Sequence, residues 1–270
     1  MRTYLGQNFL INKDKIKEII DALELKANDV VIEIGPGHGE LTENLKSQIL
    51  NFKIIAIEKD KDLAAELKEK FIQDKNVSII EGDALKILGE ITNNLITNNY
   101  KLIGNIPYYI TGHLLRIIGE LENKPELIVL TIQKEVAERV MAEPPKNNIL
   151  AASVQFWAKP EIIGYVSKTD FDPVPKVDSA IIRLKVITLP LLSQEKCYNC
   201  DKNSIKIKYY KFIKILFKQP RKTIINNLIY GFQNLTKAEI IEKLMKLKIN
   251  PEVRPQDLNQ ETIIKLSQKF

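Results

Sequence analysis

The chain has 270 residues, a formal net charge of +6 and a sequence pI near 9.0. Against roughly 100 to 200 residues per domain, that length holds one full α/β core and a smaller appended unit, and the positive balance suits a polyanionic partner, whose counterions Lys and Arg displace. No stretch nears the roughly 18 apolar residues of a membrane span, and no apolar run follows Arg2 at the N-terminus, so the expectation is a cytoplasmic protein without membrane contact.

Ile16, Ile19, Ile20 and Leu23 repeat at helical spacing behind Asn12, a good N-cap residue, which predicts a leading helix. Residues 30–34 then form a short apolar run ending in glycines, followed by a helix-like 40–50, a strand-like 53–58, a helix-like 61–71 and a strand-like 77–81. Strands at 102–105 and 127–133, a helix after Thr111, and helices near 134–141 and 149–157 continue the alternation. Strand signals at 162–166 and 180–186 flank the proline-rich 171–175, suggesting a hairpin-like antiparallel edge. Strands alternating with helices imply right-handed crossovers and a mainly parallel sheet covered on both faces.

Residues 189–204 lose this periodicity, so the predicted division is one domain over residues 1–188 and a helical one over 189–270. Cys197 and Cys200, the two cysteines of the chain, lie C-x-x-C in that polar stretch. A structural zinc site normally takes four ligands, so reduced loop thiols are favoured over a redox pair and no metal is expected.

Glu33-Ile34-Gly35-Pro36-Gly37-His38-Gly39 stands where a strand gives way to a helix, and its glycines let the backbone approach a ligand that a Cβ would block. It differs from the dinucleotide fingerprint G-x-G-x-x-G in its third glycine, one residue early, and in Pro36 between the first two. Glu58 and Asp83 close the next two strands, and in an open parallel sheet such strand ends share one crevice. Glu58 there suits a ribose diol and Asp83 an adenine amino group, an order that favours an adenosyl cofactor, although NAD would use the first acid similarly.

Asn105-Ile106-Pro107-Tyr108 closes a further strand. An adenine amino group is a poor nucleophile because its lone pair is delocalised, so an enzyme that alkylates it must position and polarise it. The Asn105 side-chain oxygen and a backbone carbonyl near Pro107 suit the two N–H hydrogens, Pro107 stiffens that carbonyl, and Tyr108 offers a face for an extruded base. The competing reading is an ordinary strand-to-turn junction, where Asn and Pro are common. Together with the glycine loop and the acids, the motif favours methyl transfer on a Rossmann-like class I methyltransferase sheet.

These motifs, with Gly6-Gln7-Asn8-Phe9-Leu10 before them and Phe171-Asp172-Pro173-Val174-Pro175-Lys176-Val177-Asp178-Ser179-Ala180 and Phe217-Lys218-Gln219-Pro220-Arg221-Lys222-Thr223 after, resemble the small-subunit ribosomal RNA adenine N6,N6-dimethyltransferases over nearly the whole chain. The resemblance implies S-adenosyl-L-methionine as cofactor, held by Asn8, Leu10, Gly35, Gly37, Glu58, Asp83 and Asn105. It implies catalysis by Asn105, Pro107 and Tyr108, a base stacked between Tyr108 and Phe171, and dimethylation of two neighbouring adenosines near the 3′ end of small-subunit RNA in ribosome biogenesis. The partner it implies is the small ribosomal subunit, met by a monomer.

Ile106 stands where that family usually has Leu, a change shared with the large-subunit adenine methyltransferases of macrolide resistance, which are the runner-up. Asp178 and the residues 219–223 pattern speak against them. A non-catalytic RNA-binding factor on the same fold would have no need of the intact Asn105 to Tyr108 loop. Protein glutamine or DNA adenine methylation uses similar loops, but the stretches 6–10 and 171–180 point away from it. Asn147-Asn148 replaces a Tyr-Gly pair common in the family. In the C-terminal unit, Tyr209, Phe212, Ile213, Leu216 and Phe217 predict one apolar helix face, with Lys208, Lys211, Lys214 and Lys218 on another. Arg221 and Lys222 extend that cationic face, which suits RNA phosphates.

Overall fold

The computed structural model describes residues 7–48, 52–95, 99–187 and 202–270. Gly6 and the Cys197/Cys200 pair lie outside the described residues. The chain divides into two compact units, one running to Ala137 and resuming over Lys159–Val186, the other comprising Glu138–Ala158 and the chain from Ile187 onward.

The first unit opens with β1 (Phe9–Leu10) and α1 (Lys13–Asp21). Asn12 starts α1 because its side-chain oxygen accepts the N–H groups of Asp14 and Lys15, two of the donors that a helix N-terminus leaves unpaired. Ile16, Ile19 and Ile20 then fall on one buried face. There follow β2 (Val30–Ile34), α2 (Glu40–Gln48), β3 (Lys53–Glu58), α3 (Lys61–Lys70), β4 (Val77–Glu81), α4 (Ala84–Asn93), β5 (Tyr100–Asn105), α5 (Thr111–Glu120) and β6 (Leu127–Gln133). After α6 (Lys134–Val140) and α7 (Ile149–Gln155), the strands β7 (Ala158–Val166), β8 (Phe171–Asp172) and β9 (Ser179–Val186) complete the order.

Seven strands form one sheet in the order β4-β3-β2-β5-β6-β9-β7. β2 pairs in parallel with β3 and with β5, β3 with β4, and β5 with β6, whereas β9 runs antiparallel to β6. The central strands read as continuous apolar runs because both their faces are buried, as parallel sheets require. From β2 the chain winds outward through β3 and β4, then returns to β5 on the other side of β2. The sheet therefore has its topological switch point between β2 and β5, and the crevice outside their carboxyl ends is where ligands of such sheets lie.

Two elements escape the alternation read from the sequence. One is α4, capped by Asp83, whose side chain accepts the Leu85 N–H. The other is a two-stranded sheet in which β1 pairs antiparallel with β8, Phe9 opposite Asp172 and Leu10 opposite Phe171. Asn12 strengthens that junction, its Nδ2 donating to Asp170 Oδ1 at 2.8 Å, as does the Ile11 N–H, which donates to the Asp170 carbonyl.

In the second unit α8 (Lys202–Leu216), α9 (Ile224–Gly231), α10 (Lys237–Lys246) and α11 (Gln260–Lys269) enclose a core that includes Tyr209, Phe212, Leu216, Leu228, Ile240, Leu244 and Ile263. Ala152 and Phe156 belong to it too. The Phe156 ring stacks on Tyr209 at 3.9 Å between centroids, and the Tyr209 hydroxyl donates to the Ala152 carbonyl. The break at residues 186/187 lies beside the expected boundary at 188/189, and residues 138–158 group with the second unit, because helical periodicity marks α7 as a helix without saying which core its apolar face serves. Asn148 caps α7 through the Leu150 and Ala151 N–H groups, and Asn147 Nδ2 donates to the Leu258 carbonyl, so the asparagine pair ties α7 into this unit. Among the described residues no helix is long and apolar enough to cross a membrane.

Candidate active site at the carboxyl ends of the sheet

The glycine loop after β2 takes a path that only glycines follow without strain, with φ of +67°, +61° and +90° at Gly35, Gly37 and Gly39. Gly37 has no room for a side chain, since a Cβ there would lie 2.8 Å from the Phe9 ring. Gly35 faces open space, with the Asn105 carbonyl 4.0 Å from where its Cβ would stand. The switch point thus brings the glycine loop and the end of β5 together. Gly104 makes the approach possible, because a Cβ on it would meet the Ile34 carbonyl at 2.6 Å.

Glu58, at the end of β3, is 2% exposed. Its Oε2 accepts the Gly37 N–H at 3.1 Å and its Oε1 accepts the Asp60 N–H at 2.9 Å. Burial pushes its carboxyl above the usual carboxylate range, while those backbone donors pull it partly back. With the Lys59 N–H as a third backbone donor, the carboxylate still keeps acceptor capacity for a ligand. Asp83 accepts the Leu85 N–H and lies 3.0 Å from Lys59 Nζ. Partial burial raises its carboxyl, but the Lys59 ammonium and the Leu85 N–H outweigh that and hold it below its ordinary value.

Asn105 ends β5 with its Nδ2 donating to the Asn8 carbonyl at 2.8 Å. With the amide nitrogen so engaged, Oδ1 is the end left to accept, and it has no hydrogen-bond partner among the described residues. Pro107, at φ −53°, leads into a 3-10 turn, Tyr108–Ile110, and its carbonyl accepts the Ile110 N–H at 3.1 Å, keeping its second lone pair. The Tyr108 hydroxyl lies 2.8 Å from Ser179 Oγ, and burial raises its pKa.

One cleft, enclosing about 790 Å³ of space partly open to solvent, is lined by Asn8, Gly35, Gly37, Glu58, Asp83, Asn105, Pro107, Tyr108 and Phe171 together. A second cavity shares Gln7, Asn8 and Tyr108 with it and is lined further by Gln133 and residues 173–177. Of the expected site residues, Leu10 alone does not line the cleft. It lies in the apolar core under α1, because successive side chains of β1 point to opposite faces and Phe9 takes the side of the glycine loop. Phe171, at 2% exposure, belongs to that same core as well as to the cleft wall and does not reach the second cavity, so the structure does not display it as an open platform beside Tyr108.

Sequence reasoning passed over Phe9, Lys59, Gly104 and Gln133. Strand parity within the Asn8-Phe9-Leu10 motif could have found Phe9. Lys59 looks like any other surface lysine until Asp83, a residue of another element, is seen beside it.

The cleft's polar groups fit an adenosyl ligand: a buried carboxylate for a diol, a glycine backbone that permits close approach, an anionic acceptor beside apolar Ile57 and Ala84, and the open acceptor of Asn105. The sequence profile of the family described as Ribosomal RNA adenine dimethylase matches residues 1–270. The chain is 37% identical to the Ribosomal RNA small subunit methyltransferase A of Mycoplasma mycoides subsp. mycoides SC, over 98% of this chain and 96% of that one. Among solved structures, a dimethyladenosine transferase from Plasmodium falciparum superposes with a TM-score of 0.75 at 26% identity, covering 96% of this chain and 95% of that one. The 23S rRNA methyltransferase ErmE shares the fold, with a TM-score of 0.72 at 24% identity, covering 97% of this chain and 99% of that one. A profile match from end to end, together with relatives of this similarity, makes the chain a member of the ribosomal RNA adenine dimethylase family.

Proposed function

We propose that this protein dimethylates the N6 amino groups of two adjacent adenosines near the 3′ end of small-subunit ribosomal RNA, using S-adenosyl-L-methionine. The observation that carries the reading is the end of β5, where the Asn8 carbonyl holds the Asn105 amide nitrogen and leaves Oδ1 as an acceptor in the cleft. When bound, the cofactor supplies a methyl group already activated by its sulfonium charge. Glu58 would take its ribose hydroxyls on the acceptor capacity that its backbone donors leave open, and Asp83, kept ionised by Lys59, would accept from its adenine amino group.

Asn105 Oδ1 and the second lone pair of the Pro107 carbonyl would receive the two N–H hydrogens of the target amine, favouring a pyramidal nitrogen. No general base is needed, since the methylated ammonium is acidic enough to release its proton to water. Tyr108, which lines both cavities, would stack the extruded base, a contact of about 1 to 3 kcal/mol. The second cavity would then receive the nucleotide. Small-subunit RNA is favoured over large-subunit RNA by the relative's name and its 37% identity, against the 24% shared with ErmE.

Exposed Lys208, Lys211, Lys214, Lys218, Arg221 and Lys222 in the second unit supply a cationic face for RNA phosphates. We place the protein in the cytoplasm as a monomer on the subunit. The test is methyl transfer to undermethylated small and large ribosomal subunits, followed by nucleoside mass spectrometry. N6,N6-dimethyladenosine in the small subunit is expected, and methylation of the large subunit alone would move the protein to the resistance class.

A further inference from the structure

The second cavity contains one side chain that the proposed chemistry does not use. Gln133 is the last residue of β6, at the carboxyl end of the parallel sheet, and lines that cavity beside Tyr108 and Asn8. Its Cα pairs with that of Ser179 across the antiparallel β6–β9 ladder, so the two side chains share a face of the sheet. Ser179 Oγ is 2.8 Å from the Tyr108 hydroxyl, which puts Gln133 on the Tyr108 side. Gln133 is partly buried, and its carboxamide has no hydrogen-bond partner among the described residues. A carboxamide beside a stacking tyrosine carries a donor and an acceptor in one plane, as the edge of a base does.

The chemistry selects which end it uses. The first methyl transfer consumes one N6 hydrogen of the target and the second consumes the other, so an acceptor that depended on those hydrogens would lose its partner between rounds. Adenine's ring nitrogens N1, N3 and N7 are acceptors throughout, and only the NH2 end of a carboxamide addresses them. Resting on the dimethylation reading above, we propose that Gln133 is a specificity-determining residue that donates from Nε2 to a ring nitrogen of the target adenine and holds it in register through both methylations.

The full-length protein is assayed on small subunits assembled with adenine, 1-deazaadenine, 3-deazaadenine or 7-deazaadenine at the two target positions. Gln133→Glu and Gln133→Met keep the side-chain size but remove the donor, and thermal melting checks that both fold. Each variant should lose about 10- to 100-fold in kcat/KM on adenine, the range for a base-reading hydrogen bond. One deaza substrate should cost the wild type the same factor and the variants nothing further, with the ratio of mono- to dimethylated product unchanged. Undiminished activity of both variants on adenine, losses that multiply on all three deaza substrates, or variants that stall at the monomethyl product would each overturn the assignment. A wild-type protein that methylates no adenine substrate would instead overturn the function on which it rests.

Discussion

Asn105 carries two duties in one side chain. Its nitrogen secures the N-terminal segment through the Asn8 carbonyl, and its oxygen is the proposed acceptor for the target amine. Asn105→Ala removes both and should lower single-turnover methyl transfer at saturating donor by about 10²- to 10³-fold, the cost of removing one preorganised polar contact from a reacting centre. An unchanged rate would remove the residue from the mechanism. Glu33, one strand position before Ile34 and the glycine loop, offers a different measurement. It is fully buried, Thr42 Oγ1 donates to its Oε2 at 2.6 Å, and its Oε1 has no partner. Burial, against that hydrogen bond and with help from Glu40 and Glu58, raises its pKa from 4.5 to about 7. Because the folded state then binds a proton more tightly than the unfolded chain, this group's contribution is fully present below pH 4.5 and is lost as pH rises to about 7, a change of about 3 kcal/mol at most. Urea melts should show wild-type stability falling over that window, and Glu33→Gln should flatten the slope.

At the scale of elements, the glycine loop separates backbone strain from packing. Both Gly35 and Gly37 sit at positive φ, where an alanine costs about 1 to 2 kcal/mol. Only at Gly37 does the new Cβ also strike a ring, that of Phe9, in a strand held by two residue pairs to β8. Gly37→Ala should therefore lower the urea midpoint clearly more than Gly35→Ala, whereas Gly35→Ala, whose methyl enters the open cleft, should weaken donor binding about tenfold or more with little added cost to folding. Equal midpoints for the two variants would show that the Phe9 contact is soft. The same elements show what a sequence reveals. β3 and β6 are legible to the residue because buried parallel strands are apolar runs, and α1 is legible because Asn12 announces it. The β1–β8 pair is not, since two residues carry no period and the partners stand at opposite ends of the unit. Leu10 makes a related point: a motif names the segment near a cleft, but pleat parity decides which of its side chains faces that cleft, here Phe9. The acids and the Asn105 loop were legible because strand ends converge by topology, while Lys59 and Gln133 were not, because their meaning depends on neighbours from other elements.

For the whole molecule, the open question of physics is how a chain of net charge +6 gains hold of RNA. The first unit supplies a cleft of atomic specificity, but a single stacked base with a few hydrogen bonds is a small contact against the entropy of docking two macromolecules. The second unit has the complementary composition: its apolar residues are spent on its own core, and the lysines of α8 alternate with them, Lys208, Lys211 and Lys214 exposed while Tyr209, Phe212 and Ile213 are buried. All three lysines are exposed, so their neutralisation to Gln should leave the melting temperature within a degree or two, in the range expected of surface changes. If they meet phosphates, each lost contact lowers the slope of log K against log salt by about 0.7 to 0.9, so the triple variant should bind the small subunit with a slope smaller by up to about 2 to 3. Its KM for the subunit should rise steeply at low salt and converge on the wild-type value as salt increases, while kcat stays unchanged because the cleft is untouched. An unaltered salt slope would assign these lysines to solvent and leave Lys218, Arg221 and Lys222 as the remaining basic residues of that face to carry the RNA.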